Sequence, residues 1–294
     1  MQRSITLHKT SLQGMRESNE DVEKFKINLC VDSDKMDHEC AQIDFFAVCD
    51  GHGGSSVAKF IAPKLEKHLT KKNLIYPLSH NYICKIYNYI QQELINHPQK
   101  IAKSCGSTAL VVVRYLDNDH KENIQVINSG DCRAVLSRKG LAIPLSKDHK
   151  PFWPDEKYRI DMVNKKYNTN KRVHYEAYDW RIGDLSVSKS FGDLDNTPYV
   201  SHLPDSFHYQ LQPEDEFIIV ACDGLWDVLQ NHEAINFVRD HWNDNNIGYY
   251  DLPDDRYPSE DINKTNNIAR KLASYAIARG STDNVSILVV FFIK

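Results

Sequence analysis

Two stretches of the sequence place an aspartate directly after a run of apolar residues. Asp50 follows such a run in FFAVCDGHGG, and Asp223 follows one in EFIIVACDGLWD. A third aspartate, Asp283, stands just before the apolar run at 285–293. Short apolar runs of this kind are typical of buried strands. If the strands are neighbours, the three carboxylates converge where water is scarce, and they repel one another unless a cation joins them. We therefore expect a metal site.

Other acidic residues occupy turns and strand ends: Glu20 and Asp21 in MRESNED, Asp131 in NSGDCR, and Asp227 shortly after Asp223. Taken singly, an Asp-Gly or Gly-Asp pair is also a common turn former. As a group these residues offer only oxygen ligands, which favour Mg²⁺ or Mn²⁺ over Zn²⁺. Enough acids for two ions predicts a two-metal site that activates water, which is typical of a hydrolase.

Two further residues have side chains suited to phosphate chemistry. Arg16, four residues before Glu20, could bind a phosphoryl group through its planar guanidinium, or could simply pair with Glu17 at the surface. His52, two residues after Asp50, could protonate a leaving oxygen as a general acid. The alternatives for His52 are a turn residue or a metal ligand.

The strands and helices that would position these residues follow from the apolar pattern. Strands are predicted at 5–11, 43–49, 108–116, 124–128, 134–138, 217–221 and 285–293. Several are apolar at nearly every position, which indicates cover on both faces. Helical spacing is found at 57–69, 83–94, 235–242 and 268–276, with Gly280 stopping the last helix. Clustered strands and separate helices favour antiparallel sheets with helices packed outside.

The chain is expected to form a single domain across residues 1–294, since no repeat or flexible linker divides it. Two polar segments, near 152–183 and 243–264, are predicted to be surface loops, the first of them a flap or insertion.

Composition excludes several classes of protein. A net charge of −4 gives no basic excess for nucleic acid or an anionic membrane surface. No apolar stretch approaches membrane-spanning length, and the start has no signal-peptide pattern. Seven cysteines without a Cys-x-x-Cys pair fit reduced thiols. We expect a monomer located in the cytoplasm or nucleus.

The motifs together resemble the metal-dependent Ser/Thr protein phosphatases of the protein phosphatase 2C family. The resemblance runs in the family's order from about Ile5 onward through GMRESNED, AVCDGHGG, CGSTALVVV, INSGDCRAVL, LSKDHKP, LSVSKSFGD, IIVACDGLWDVL and GSTDNVSILVV. It implies an α+β fold in which two stacked antiparallel sheets are flanked by helices, a four-layer αββα sandwich. It also implies hydrolysis of phosphoserine and phosphothreonine in protein substrates by a metal-bridging hydroxide, without a phosphoenzyme.

The resemblance also implies roles for single residues. Asp50 would bridge two Mn²⁺ or Mg²⁺ ions, with Gly51 offering its carbonyl. Asp223 and Asp283 would complete one ion's ligands, and Glu20, supported by Asp21, would serve the other ion. Arg16 would hold the phosphate and His52 would be the acid, while a weaker third ion would lie at Asp131 and Asp227.

Two departures from the family pattern lie outside the metal set. Lys189 stands where the family usually has Arg, so a bidentate donor is lost. The segment after KYRI lacks the family's Ala-Gly-Gly turn. In the family this flap affects substrate choice, so known preferences transfer poorly.

Three rival interpretations can be stated. Cys132 and Arg138 have the spacing of tyrosine phosphatases, but the intervening residues lack glycine and fit a strand. Asp193 begins a match to the motif of haloacid dehalogenase-like phosphatases, but no apolar strand precedes it, and a structural role is preferred. The third is a pseudophosphatase that serves as a binding scaffold, which loss of a metal-site acid would indicate. Every such position is filled here, which favours catalysis.

Overall fold

The computed structural model describes residues 3–30, 42–242 and 267–293. The predicted polar segment at 243–264 lies outside these residues. Among the described helices, none is both long and apolar enough to cross a membrane.

The described residues form strands and helices with the following bounds. The strands are β1 (Ser4–Leu12), β2 (Val22–Cys30), β3 (Gln42–Cys49), β4 (Gly51–His52), β5 (Gly106–Ser107), β6 (Ala109–Leu116), β7 (Glu122–Ser129), β8 (Arg133–Arg138), β9 (Leu141–Pro144), β10 (Val173–Glu176), β11 (Asp179–Ile182), β12 (Phe191–Gly192), β13 (Asp205–Gln210), β14 (Asp215–Ala221) and β15 (Val285–Ile293). The helices are α1 (Ser56–Leu69), α2 (His80–Ile95), α3 (Pro154–Tyr167), α4 (Asp223–Trp226), α5 (Asn231–His241) and α6 (Ile268–Ala278), with a short 3₁₀ turn at Leu194–Asn196. All seven predicted strands and all four predicted helices are present.

Two five-stranded antiparallel sheets form the centre of the protein. One has the strand order β1-β15-β14-β8-β9, and the other has the order β13-β7-β6-β3-β2. A small sheet of order β12-β5-β4 extends from the second, because β4 follows β3 after a single residue and β6 follows β5 in the same way. The predicted α+β sandwich of two stacked sheets flanked by helices is confirmed.

Strand β3 shows why these strands are apolar at nearly every position. Phe46 and Val48 point into the core between the two sheets, where they join residues such as Val220 of β14. Phe45 and Ala47 point the other way, into a second core that α1 and α2 cover. Side chains alternate between the faces of a strand, so both faces must be apolar when both are packed.

The outer face of the other sheet is covered by α5 and α6. Ile219 of β14 and Val289 of β15 pack there with Ile235 and Leu272. Helix α6 ends at Ala278, and Gly280 adopts a φ of +101° as the chain turns toward β15. A positive φ suits glycine, which confirms that this residue stops the helix.

The segment predicted to contain surface loops or a flap has regular structure instead. It consists of helix α3 followed by the β10–β11 hairpin, and Ile160, Ile182 and Val200 form a small core of their own beneath it. Most of the hairpin's side chains are exposed. Regular structure was not predicted here because both elements carry mainly polar residues and bury few apolar ones, and the flap or insertion near 152–183 stays a prediction.

Candidate active site

The predicted acidic residues lie at one end of the sandwich, because antiparallel strands alternately end and begin there. Strands β3 and β14 end there, so Asp50 and Asp223 follow them, while β15 and β2 begin there, so Asp283 and Asp21 precede them. A cavity of about 480 Å³ opens at this end. The predicted site residues that line it are Arg16, Glu20, Asp50, Gly51, His52, Asp131, Asp223 and Asp283.

Asp50 and Asp21 form a close pair of carboxylates in the site. Their oxygen atoms and the Cys222 Sγ lie within 4.8 Å of one another. Burial, followed by the charges of Asp21 and Asp223, raises the pKa of Asp50 well above its usual range. Burial likewise raises the pKa of Asp21 to about 6. Neither Asp21 carboxylate oxygen accepts a hydrogen bond from the described residues.

Asp223 and Asp131 share a buried cation that the sequence analysis did not single out. The Lys150 Nζ lies 2.5 Å from Asp131 Oδ2 and 3.9 Å from Asp223 Oδ2. Burial and the charge of Asp131 raise the pKa of Asp223 well above its usual range, although Lys150 acts in the opposite direction. The KDHKP motif held the signal for this lysine, but a single lysine in a motif does not indicate which carboxylates it contacts.

Asp227 does not line the cavity. Its backbone N–H donates to the Asp223 carbonyl (2.8 Å), and its side chain lies beside a neighbouring groove that Arg133 also lines. Burial and the charge of Asp131 raise the pKa of Asp227, although Lys150 acts in the opposite direction, so the two carboxylates interact and a third ion at this pair stays a prediction.

Glu20 is fixed against the turn that follows β3. Its Oε2 accepts from the Gly54 N–H at 3.0 Å, and its own N–H donates to Asn284 Oδ1 at 2.9 Å. A Cβ on Gly51 would lie 2.5 Å from the Glu20 carbonyl oxygen, so only glycine allows this close approach. Asn284 also donates to the carbonyls of Gln13 and Ser18 and so holds the loop that carries Glu20, a role that the sequence did not indicate.

Arg16 pairs with Asp283 and not with its sequence neighbour Glu17. The Arg16 Nη2 lies 2.6 Å from Asp283 Oδ2, and the arginine side chain is 59% exposed. The guanidinium therefore lies at the rim of the cavity, where an incoming anion can reach it.

His52 contacts Asp193, a residue that the sequence analysis regarded as structural. The His52 Nε2 lies 2.9 Å and 2.8 Å from the two Asp193 carboxylate oxygens. Burial acts to lower the pKa of His52, but the hydrogen bond and charge of Asp193 outweigh it, so the pKa lies above its ordinary value.

Two residues that were considered in the sequence have roles outside the acidic cluster. Cys132 is fully buried, and burial raises the pKa of its thiol well above the ordinary value, which disfavours a thiolate nucleophile. Lys189 is buried and its Nζ lies 2.8 Å from Asp205 Oδ1, so it contributes a structural ion pair.

The cluster fits divalent cations on its own chemistry. Its donors are carboxylate oxygens, two of them buried without a hydrogen-bond partner among the described residues. Burial, followed by repulsion from the charges of neighbouring carboxylates, raises the pKa values of Asp50 and Asp223. Hard divalent ions would offset that repulsion and satisfy those oxygens. Asp21, Asp50 and Asp223 with Glu20 and Asp283 are the residues that could hold them.

Comparisons with known proteins identify the relatives of this chain. A family model described as protein phosphatase 2C matches residues 5–285. The probable protein phosphatase 2C 11 of Arabidopsis thaliana is 34% identical over 288 residues, which cover 96% of this chain and 65% of that protein. The PP2C-like domain-containing protein R307 of Acanthamoeba polyphaga mimivirus is 69% identical over 179 residues, or 61% of this chain and 99% of that protein.

Solved structures show the same fold. A serine-threonine phosphatase 2C from Toxoplasma gondii has a TM-score of 0.70 and 22% identity, covering 99% of this chain and 96% of that one. A C. elegans sex determining protein has a TM-score of 0.76 and 22% identity, covering 98% of this chain and 64% of that one. The chain thus spans about two thirds of its Arabidopsis and C. elegans relatives.

Proposed function

The chain belongs to the protein phosphatase 2C family, and from that membership we propose that it hydrolyses phosphoserine and phosphothreonine in protein substrates. The observation that carries the proposal is the shared cavity. A cluster of mostly half-buried carboxylates, an exposed arginine and a hydrogen-bonded histidine all face one polar space of about 480 Å³. These are the groups that phosphate-ester hydrolysis requires.

The carboxylates Asp50, Asp223, Asp283, Asp21 and Glu20 would hold two Mn²⁺ or Mg²⁺ ions. When bound, the ions would activate the attacking water and offset the negative charge of the phosphoryl group. The protein's part is to keep five carboxyl groups close together near the strand ends, where burial and then mutual repulsion raise the pKa values of Asp50 and Asp223.

Arg16 and His52 act on the substrate directly in this proposal. The exposed guanidinium of Arg16, oriented by Asp283, binds the phosphoryl oxygens through its planar donors. A water oxygen forms a bond to phosphorus while the bond from phosphorus to the serine or threonine oxygen breaks. That oxygen keeps the bonding electron pair and takes a proton from His52, so inorganic phosphate and the free hydroxyl are the products.

Direct attack by water, without a phosphoenzyme, is supported by the state of the alternative nucleophiles. Cys132 is fully buried, and the Asp193 carboxylate is engaged by His52. The pseudophosphatase alternative is not favoured, because each metal-site position keeps its acid. The monomeric state and the location in the cytoplasm or nucleus stay predictions from the sequence.

Metal removal tests the proposal. Wild-type protein should release phosphate from a phosphothreonine peptide with Mn²⁺, lose that activity in EDTA, and regain it with excess Mn²⁺ or Mg²⁺. Asp50→Asn should stay inactive at all Mn²⁺ concentrations, whereas Asp119→Asn, a change at an exposed turn, should behave as wild type. Undiminished turnover in EDTA would contradict the two-metal site.

A further inference from the structure

The contact between His52 and Asp193 joins the candidate acid to a buried carboxylate on a different segment of the chain. We infer that Asp193 is a positioning residue that fixes the ring orientation and tautomer of His52 for proton delivery to the leaving serine or threonine oxygen. This inference rests on the proposed function above. It differs from the sequence interpretation, in which Asp193 was structural.

The geometry of the contact is that of a carboxylate that holds an imidazole. Both Asp193 carboxylate oxygens lie within 2.9 Å of His52 Nε2, and the Asp193 side chain is 2% exposed. The Ser190 hydroxyl donates to Asp193 Oδ2 and limits rotation of the carboxylate. Because a carboxylate only accepts, His52 must carry a proton on Nε2 in this contact, and the proton that it delivers as an acid is a second one, on Nδ1.

The backbone around Asp193 is arranged to present this side chain. Asp193 has a φ of +49°, which is uncommon for a residue with a side chain, and its N–H donates to the Cys105 carbonyl at 3.0 Å. It directly follows β12, and His52 lies in β4, so β5 stands between the two outer strands of the small sheet. The sheet therefore fixes the distance between the carboxylate and the ring.

Gly106 in β5 leaves the space in which the two side chains meet. A Cβ at this position would lie 2.0 Å from Asp193 Oδ2 and 2.4 Å from His52 Nε2. Any residue larger than glycine would separate the pair. The close approach of two side chains over a glycine explains the need for glycine at this position.

With Nε2 held by Asp193, Nδ1 is the ring nitrogen left to exchange a proton with a group in the cavity that His52 lines. A carboxylate that orients a catalytic imidazole through the opposite nitrogen has the same role in the serine-protease triad. Asp193 contacts the histidine and not the substrate, so its effect must pass through His52.

The test compares two substrates that differ in their need for a proton. Asp193→Asn keeps the side-chain volume but removes the charge that fixes the tautomer. We expect kcat for a phosphothreonine peptide to fall about 10²-fold, in the range for loss of general-acid function. Turnover of p-nitrophenyl phosphate, whose phenolate leaves without a proton, should fall less than about threefold. Asp195→Asn, an exposed acid two residues away, should have no effect on either substrate.

A double-mutant cycle separates positioning of His52 from a role in the fold. His52→Gln should show the same substrate selectivity, and adding Asp193→Asn to it should cause no further loss. Equal losses on both substrates, additive losses in the cycle, or no loss at all would overturn the inference.

Two further outcomes are distinguishable. If Asp193→Asn does not fold, as judged by its thermal unfolding, Asp193→Ser takes its place. That variant must lose more activity on the phosphothreonine peptide than on p-nitrophenyl phosphate, and its failure to do so overturns the inference. A wild-type protein with no Mn²⁺-dependent turnover of either substrate would instead overturn the proposed function, and this inference with it.

Discussion

Lys150 places a positive charge among the carboxylates that the sequence predicts to hold a third ion. Its side chain is 13% exposed, and its Nζ lies 2.5 Å from Asp131 Oδ2. Burial acts to lower the pKa of Lys150, but the charges of Asp131, Asp223 and Asp227 outweigh it, so the pKa lies well above its ordinary value. A third ion at Asp131 would therefore have to compete with an ammonium group that is already there.

Removal of this ammonium should strengthen the third site. Lys150→Met keeps the length of the side chain but removes its positive charge. It should raise the affinity of the weakest Mn²⁺ site at least about tenfold, which corresponds to roughly 1.4 kcal/mol. Calorimetric titration with Mn²⁺ measures the change. Lys147→Met, at a more exposed lysine of the same loop, is the matched control. If Lys150→Met binds the third Mn²⁺ with unchanged or lower affinity, the Lys150 ammonium does not compete with that ion for Asp131.

At the residue scale, the sequence predicted the acids but not most of their partners. Asp50 and Asp223 were identifiable because each follows a strongly apolar strand. Asp193 was not, because it lies 141 residues from His52 in the chain and the contact depends on a small sheet of two-residue strands. For Arg16 the sequence indicated phosphate binding or a surface pair with Glu17, whereas its carboxylate partner in the structure, Asp283, is 267 residues away.

At the scale of elements, the β10–β11 hairpin brings a second arginine to the cavity. Arg181 lines the cavity, and its guanidinium donates to the backbone carbonyls of Glu176 and Asp184. In the described part of the chain it forms no ion pair with a carboxylate. Beside it, Lys157 of α3 lies 5.1 Å from the centre of the Trp180 ring, a contact that attaches the hairpin to the helix.

Because Arg181 lines the cavity, we expect it to contact the peptide around the phosphorylated residue. Arg181→Gln should raise KM for a phosphothreonine peptide up to about fivefold, since a partly exposed ionic contact contributes ~1 kcal/mol or less. The kcat should change little, and p-nitrophenyl phosphate, which has no flanking residues, should be unaffected. Steady-state kinetics on both substrates measure this. Arg172→Gln, at an exposed arginine outside the cavity lining, is the control. Equal KM values for the two variants would count against a contact between Arg181 and the peptide.

Two strands that the sequence did not predict share one physical property. Strands β2 and β13 are the two edge strands of their sheet, and their sequences VEKFKINLC and DSFHYQ interleave polar and charged residues with the apolar ones. A register shift between Lys26 and Leu29 further interrupts the alternation in β2. Strands β3 and β6, in the interior of that sheet, have long apolar runs and were predicted, whereas β2 and β13 lack such runs.

At the scale of the whole molecule, β3 connects two charged groups with different environments. Asp50 follows its last residue, and Asp44 lies near its beginning, which separates them by roughly 20 Å at the usual rise per residue. Asp44 is buried, its Oδ2 lies 2.8 Å from Arg114 Nη1, and it also accepts from the Asn28 N–H at 2.8 Å. Glu122 lies 2.7 Å from the same arginine. This end of the sandwich therefore neutralises its buried charge internally, whereas the carboxylates around Asp50 require added cations.

Because the Asp44 end of the sandwich and the Asp50 end balance their charges in different ways, we expect that each can be altered without affecting the other. Asp44→Ala leaves the guanidinium of Arg114 buried with one carboxylate partner in place of two, so it should lower the free energy of unfolding by about 2–4 kcal/mol. Below the unfolding transition, Mn²⁺-dependent kcat should remain within about twofold of wild type, because distant sites without shared partners are nearly additive. Urea unfolding and peptide kinetics measure the two quantities. Asp119→Ala, at an exposed acid of the β6–β7 turn, should change neither, and a large loss of kcat in folded Asp44→Ala would show that the ends are coupled.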